Sequence, residues 1–220
     1  RRGSPEEIRW FEAEPTFVLH FVNAYEAGNA IVLDGFFEAN PDPELRPDPT
    51  DPRSLFRMLD MHVVGARPHR WRLDLATGGL KEAPLHDGVT EFGTIDPRRT
   101  GRRHRYCWTM TTKPGWFLFD GLQRLDVETG ETQHFAFPEG VYGSEAPMAP
   151  RPGGTAEDDG WVLSYVTDMN RDASEVWILD AGDLNRGPVA RVALPERICV
   201  GTHACWADAS RLAGTEGDGP

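Results

Sequence analysis

Short runs of apolar and β-branched residues, broken by Gly, Asp and Pro, recur along the whole of this 220-residue chain. No stretch repeats its apolar residues with a helical period, so the pattern predicts an all-β protein. The strongest run, Phe17-Val-Leu-His20-Phe-Val22, is apolar on both faces apart from its histidine and predicts a strand covered on both sides. Asn23-Ala-Tyr25-Glu26-Ala-Gly28-Asn29 predicts a turn, and Ala30-Ile-Val-Leu-Asp34 a second strand that completes a hairpin. Residues 38–54 are crowded with Pro and Asp, cannot sustain a hydrogen-bonded ladder, and predict a loop. One short helical turn is expected at 54–59, with strands resuming at His62-Val-Val. A buried strand is expected again in Arg197-Ile-Cys-Val-Gly-Thr-His203-Ala-Cys-Trp206, and residues 213–220 predict a flexible tail.

A strand-plus-turn unit recurs inside this pattern. Trp71-Arg-Leu-Asp74-Leu-Ala-Thr-Gly78 returns as Leu122-Gln-Arg-Leu-Asp126-Val-Glu-Thr-Gly130, more weakly as Val176-Trp-Ile-Leu-Asp180-Ala-Gly182, and more weakly still as Ala30-Ile-Val-Leu-Asp34-Gly35. Asp and Gly are common in any hairpin turn, so two copies alone would mean little. Four copies roughly 40 to 55 residues apart predict the blades of a β-propeller. Four blades are counted this way, with no first blade at the N-terminus, and the expectation is an incomplete propeller.

Composition narrows the partners. A hydrophobic fraction of 39% and a charged fraction of 26% are those of a globular protein, and a net charge of −12 repels phosphate backbones, so nucleic acid is not an expected partner. The apolar runs are too short for a membrane helix and no leader pattern opens the chain. The first residue is Arg1, not Met, so the natural start lies open. Three cysteines, Cys107, Cys199 and Cys205, are too few for a disulfide framework and point to a reducing cytoplasm.

Four residues carry the candidate chemistry. His20 sits between Leu19 and Phe21 with no local polar partner, His203 follows Gly201 and Thr202 with Trp206 beyond it, and a buried imidazole needs a carbonyl, a carboxylate or a metal. Each taken alone reads as an ordinary core histidine at least as well as a ligand. Glu91, in Gly88-Val-Thr-Glu-Phe-Gly-Thr-Ile95, and Glu145, in Val141-Tyr-Gly-Ser-Glu-Ala-Pro-Met148, read as surface glutamates unless buried. If buried, each needs a donor, and the ring N–H of a metal-bound histidine is one. His62, His69, His86, His104 and His134 lie outside any such motif, and His69 and His104, beside arginines, read as solvated. Trp116, Phe117 and Phe119 read as the packing of a blade before the wall of a substrate tunnel.

The stretch His20-Phe-Val-Asn23-Ala-Tyr25-Glu26 resembles the H-x-x-N-A-Y-E segment of the carotenoid cleavage oxygenase family, which includes lignostilbene dioxygenases. The likeness continues through Glu91-Phe-Gly-Thr-Ile-Asp, Gly143-Ser-Glu145-Ala-Pro, Glu157-Asp-Asp-Gly-Trp-Val-Leu and Gly201-Thr-His203-Ala-Cys-Trp206, in family order over nearly the whole chain. It implies a seven-bladed propeller with Fe(II) on its axis, held by four histidines that three glutamates steady. His20 matches the third ligand and His203 the fourth; Glu91 and Glu145 match the second and third glutamates. Asn23, Tyr25 and Glu26 match motif positions and are expected to shape a turn. The first two ligands and first glutamate have no match, so residues 1–220 are expected to be the C-terminal portion of one propeller domain, roughly its last four blades. Gly93 stands where the family usually has proline.

The implied reaction is cleavage of a conjugated C=C bond of a carotenoid, apocarotenoid or stilbenoid by O₂ into two carbonyl products. Fe(II) is the cofactor, no catalytic residue is expected beyond the metal site, and substrate uptake brings in the option of peripheral membrane contact. This segment alone, short of two ligands, is expected to be inactive. Two rivals stay open: a non-catalytic kelch-like propeller that only scaffolds loops, and a zinc site built from Cys199, His203 and Cys205.

Overall fold

The computed structural model describes residues 4–44, 48–51, 53–54 and 59–209. The described residues form three antiparallel sheets, each a meander taken in chain order. Strands β1 (Phe21–Ala27), β2 (Ala30–Glu38), β3 (Ala66–Asp74) and β4 (Leu80–Pro84) make the first. Strands β5 (Thr90–Thr94), β6 (Tyr106–Thr112), β7 (Phe119–Asp126) and β8 (Thr132–Ala136) make the second. In the third, β10 (Met148–Pro150), β11 (Gly160–Asp168), β12 (Ala173–Asp180) and β13 (Pro188–Ala193) run in order, and β9 (Val141–Tyr142) pairs with the far end of β11. A short helix, α1 (Met61–Val64), is capped by the Asp60 side chain and ended by Gly65 in the left-handed region. No helix among the described residues is long and apolar enough to cross a membrane.

The repeated Asp-containing units sit at equivalent places. Asp74, Asp126 and Asp180 close the third strands β3, β7 and β12. The Asp74 carboxylate accepts the N–H groups of Ala76 and Thr77, and Asp126 accepts those of Glu128 and Thr129. Gly78 and Gly130 follow at φ 76° and 78°, where a β-carbon would be strained. Asp180 accepts the Gly182 N–H, and that turn passes into a 3₁₀ turn at Leu184–Arg186. The fourth copy is not a turn. Asp34 and Gly35 lie inside β2, so the described residues form three sheets where the repeat predicts four blades. Gly35 meets a different need: a β-carbon there would come within 3.1 Å of the His20 carbonyl, which accepts the Phe36 N–H at 3.2 Å.

Other expectations also shift. The strand begins at Phe21, not Phe17, and Asn23 to Ala27 belong to it; only Gly28-Asn29 turns. Phe17, Leu19 and Phe21 are exposed, so the run is not covered on both sides. Polar Asn23 and aromatic Tyr25 are the residues that point inward. Helix α1 takes the place of the strand expected at His62-Val-Val. Of the expected helical turn at 54–59, residues 55–58 lie outside the described residues, as does the tail 213–220. The described parts of 39–54 carry no strand, while Glu38 still belongs to β2.

The core lies between sheets. Phe92, Trp108, Met110, Phe119 and Leu122 of the second sheet cluster with Met148, Val162, Trp177, Leu179 and Leu184 from the third sheet and its flanking turn. The Trp108 indole closes that seam by donating to the Ala181 carbonyl at 3.0 Å. Between the first and second sheets, Val22 packs against the cluster of Cys107, Leu125 and Val127. Phe117 and Phe119 pack as blade interior, with Phe119 fully buried.

A β-carbon added at Gly78 would meet no atom within 4 Å, so only backbone strain opposes a side chain there. Gly78→Ala is expected to lower stability by about 1 kcal/mol, read as a shift in the urea unfolding midpoint at constant slope.

Candidate metal centre

Two histidines from opposite ends of the chain meet. His20 precedes β1, its backbone seated on β2 through the Phe36 N–H. Its Nδ1 lies 2.9 Å from Glu91 Oε2 at the start of β5. His203 lies in a segment that is extended but pairs with no strand, contrary to the buried strand expected there, and its side chain is 63% exposed. Side chains of the third sheet hold this segment instead. The Ile198 N–H donates to Ser174 Oγ, and Thr167 Oγ1 donates to the Ile198 carbonyl. Glu145 then clamps the histidine itself. Its N–H donates to the Thr202 carbonyl, while its Oε2 accepts the Ala204 N–H at 2.9 Å and lies 3.3 Å from His203 Nδ1.

The two rings stand 5.0 Å apart between centroids, nearly perpendicular at 80°. Phe92 touches both, at 4.3 Å from His20 and 5.1 Å from His203. It does so from an unusual backbone: φ is 54°, in the left-handed region that a bulky side chain rarely adopts, and the β5–β6 register shifts between Glu91 and Thr94. This kink lets consecutive side chains serve one place, because an ordinary strand would send Glu91 and Phe92 to opposite faces. The Phe92 N–H in turn donates to Glu91 Oε2 at 2.5 Å. Gly93 completes the kink. A β-carbon there would lie 2.7 Å from Val22 Cγ2 and 2.9 Å from Phe36 Cζ, so those two side chains fill the space a larger residue would use.

The electrostatics centre on Glu91, which has no exposed surface. Burial pushes its carboxyl above the usual range. Its hydrogen bond raises His20 above 6.5 against the opposing effect of the imidazole's own burial. Oε2 is fully used, whereas Oε1 has no hydrogen-bond partner among the described residues. A second buried carboxyl, Glu38 at the end of β2, is pushed up to about 7 by burial, with the charge of Glu91 adding to the effect.

Both carboxylates engage Nδ1, so each ring keeps Nε2 available. A neutral imidazole that gives its Nδ1–H to a carboxylate is a fixed-tautomer nitrogen donor, of the kind that binds iron and also zinc, copper or nickel. The residues therefore fit a metal ion as two of its ligands. Among the described residues no three His, Cys, Asp or Glu side chains converge on a common point, so further ligands would have to come from elsewhere. The same observation removes the zinc alternative: Cys199, His203 and Cys205 do not close on one another, and both cysteines are exposed.

A model of the family described as retinal pigment epithelial membrane protein, RPE65, matches residues 1–208. The chain belongs to this family. Among curated relatives of the RPE65 family, an isoeugenol monooxygenase of Pseudomonas putida is 32% identical over 94% of this chain and 44% of its own length. A lignostilbene-alpha,beta-dioxygenase isozyme III of Sphingomonas paucimobilis is 31% identical over the same shares. Among solved structures, a variant of the Synechocystis apocarotenoid oxygenase aligns with a TM-score of 0.75 and 27% identity over 87% of this chain and 39% of that one. The chain thus spans a little under half the length of the family members it matches.

Three features of the site do not follow from the sequence. Phe92 is the ring between the two histidines, and only the kink at Gly93 hints at it. Glu38 stands at the edge of the stretch that its prolines mark as a loop. His69 and His104, expected to be solvated, are buried, His104 to 1% exposure, because the arginine beside each turns elsewhere. Arg70 forms a bidentate pair with Asp34, and Arg105 pairs with Asp126.

Because the Glu91 bond is the chief cause that raises His20, Glu91→Gln should lower the His20 titration, leaving burial opposed only by the charge of Glu145, as read by imidazole NMR. Glu38 has a folded pKa of about 7 against an ordinary 4.5, so the protein loses stability as pH rises from 4.5 through about 7 and none further above it. Glu38→Gln should therefore match the parent near pH ~4 and exceed it in stability at pH ~8, by urea denaturation at both pH values.

Proposed function

We propose that this chain is the C-terminal part of a seven-bladed propeller oxygenase that uses Fe(II) and O₂ to split a conjugated C=C bond into two carbonyls. The observation that carries the reading is the pair of imidazoles 5.0 Å apart, each tied at Nδ1 to a carboxylate and open at Nε2. Relatives named as an isoeugenol monooxygenase and a lignostilbene dioxygenase support it, and both are oxygenases rather than interaction modules. The substrate class is an apolar conjugated molecule: a carotenoid, an apocarotenoid or a stilbenoid.

His20 and His203 would each give Nε2 to the iron, and Glu91 and Glu145 would hold those nitrogens in place by accepting Nδ1–H. Bound iron would supply the oxygen chemistry, which protein side chains cannot perform. Phe92, packed on both imidazoles and backed by Phe117 and Phe119, keeps water from that side of the rings and offers an apolar wall. The remaining two histidines would belong to blades outside residues 1–220, so this segment by itself would bind iron weakly and turn nothing over. We place the protein in the cytoplasm, where free Cys107, Cys199 and Cys205 would stay reduced. Contact with a membrane surface during substrate uptake is part of the same proposal.

The test uses the natural full-length protein, purified without oxygen. It is expected to carry Fe(II), and His20→Ala or His203→Ala to abolish iron binding with the fold retained by circular dichroism. Incubation with O₂ and either a carotenoid or a lignostilbene should yield two carbonyl products. Stoichiometric zinc, or no metal, would overturn the reading.

A further inference from the structure

The contact between His20 and Glu91 joins two segments, residues 20–23 and 91–104, and a second tie joins the same segments on the other side. Asn23, three residues after His20 in β1, is buried against the loop that follows β5. Its Oδ1 accepts the Gly101 N–H at 3.0 Å. Its Nδ2 faces the carbonyls of Arg102 at 2.8 Å and Arg99 at 3.3 Å, and His104 Nδ1 at 3.1 Å. The Gly101 N–H can only donate, which fixes the oxygen end of the amide, and the nitrogen end, which cannot accept, faces His104 as a donor shared with the two carbonyls. His104 Nδ1 is therefore an acceptor, and the neutral ring carries its proton on Nε2.

That proton faces Asp34 Oδ2 at 3.3 Å, without the alignment of a full hydrogen bond. Asp34 is already held by Arg70 through bonds of 2.7 and 2.6 Å, and the edge of Tyr25 packs on the imidazole. The groups around His104 are thus Asn23 and Tyr25 from β1, Asp34 from β2, Arg70 from β3 and, at longer range, Glu157. Burial outweighs the carboxylates and holds the imidazole below its ordinary 6.5. Protonation at Nδ1 would set an N–H against the amide N–H₂, so the arrangement is complete only with the ring neutral.

We propose that Asn23 and His104 are positioning residues for His20, forming a buried latch that fixes β1 against the segment carrying Glu91. A single tie at His20–Glu91 would leave β1 free to pivot about that contact. A second tie three residues along removes the pivot and sets the direction in which His20 Nε2 points. The inference deepens the proposed function, since it rests on His20 being an iron ligand.

The experiment again uses the natural full-length protein, with Asn23→Leu, His104→Phe, the double variant, and Arg124→Met as control. Arg124 pairs with Asp158 and stacks on Tyr106 and is not among the hydrogen-bond partners of Asn23 or His104, so its loss weakens the fold while leaving the bonds of the latch in place. Iron affinity is measured by chelator competition beside thermal unfolding. Asn23→Leu and His104→Phe should each weaken iron binding about tenfold, the lower end of what supporting partners contribute. The double variant should lose no more than either single one, because both break the same latch, and Arg124→Met should lose stability but not affinity. Affinity that falls in step with stability in all variants, or stays unchanged in Asn23→Leu, would overturn the proposal. A parent protein that takes up no iron would sink the oxygenase reading and leave the latch open to a separate measurement. The His20 Nδ1–H resonance should then shift in Asn23→Leu and His104→Phe but not in Arg124→Met, and an unmoved resonance would overturn the latch too.

Discussion

A carboxylate with no exposed surface has to be matched by donors, and Glu91 is matched by two: the His20 imidazole and the Phe92 N–H. Much of the local backbone serves that match. The shifted register of β5, the left-handed Phe92 and the bare Gly93 bring Glu91 and Phe92 to one place, and Gly35 lets the His20 backbone settle on β2. A left-handed bulky residue costs on the order of 1–3 kcal/mol, and such strain persists only where packing over-determines it. Here Val22, Phe36 and Cys107 crowd Gly93 and supply that packing.

The second histidine is held in a different way. His203 belongs to no strand and is largely exposed, and its position depends on Glu145, which grips the Thr202 carbonyl, the Ala204 N–H and the ring together. One ligand candidate is thus fixed by burial and the other by a clamp on an extended segment. The difference matters for stability: disturbing Glu91 or its surroundings strikes the packing of two sheets, whereas disturbing Glu145 releases a surface segment. The latch of Asn23 and His104 belongs with the buried half, since it ties the first sheet to the loop between β5 and β6.

The chain belongs to the RPE65 family, and the carboxylates on Nδ1 leave Nε2 of both His20 and His203 without a hydrogen-bond partner among the described residues. Two nitrogen donors do not make a metal site, and the family members matched here are more than twice as long as this chain. A metal held here would therefore need ligands beyond the described residues, while the orientation of these two imidazoles is set within them.

The sequence by itself determined the all-β class and the turns at Asp74-to-Gly78 and Asp126-to-Gly130, and its family motifs pointed to His20, Glu91, Glu145 and His203, which the structure brings into contact. These are local signals: turn chemistry is written in consecutive residues, and motif residues keep their spacing. Tertiary structure alone decided that Asp34-Gly35 is mid-strand, because a glycine needed for close approach and one needed for a turn are the same letter. It decided that Asn23 to Ala27 form strand rather than turn, since their inward side chains find partners some 80 residues away. It also decided that His104 is buried between two arginines that point outward. Alternation along a strand places neighbours on opposite sides, and which side is the interior depends on sheets that the local sequence does not contain.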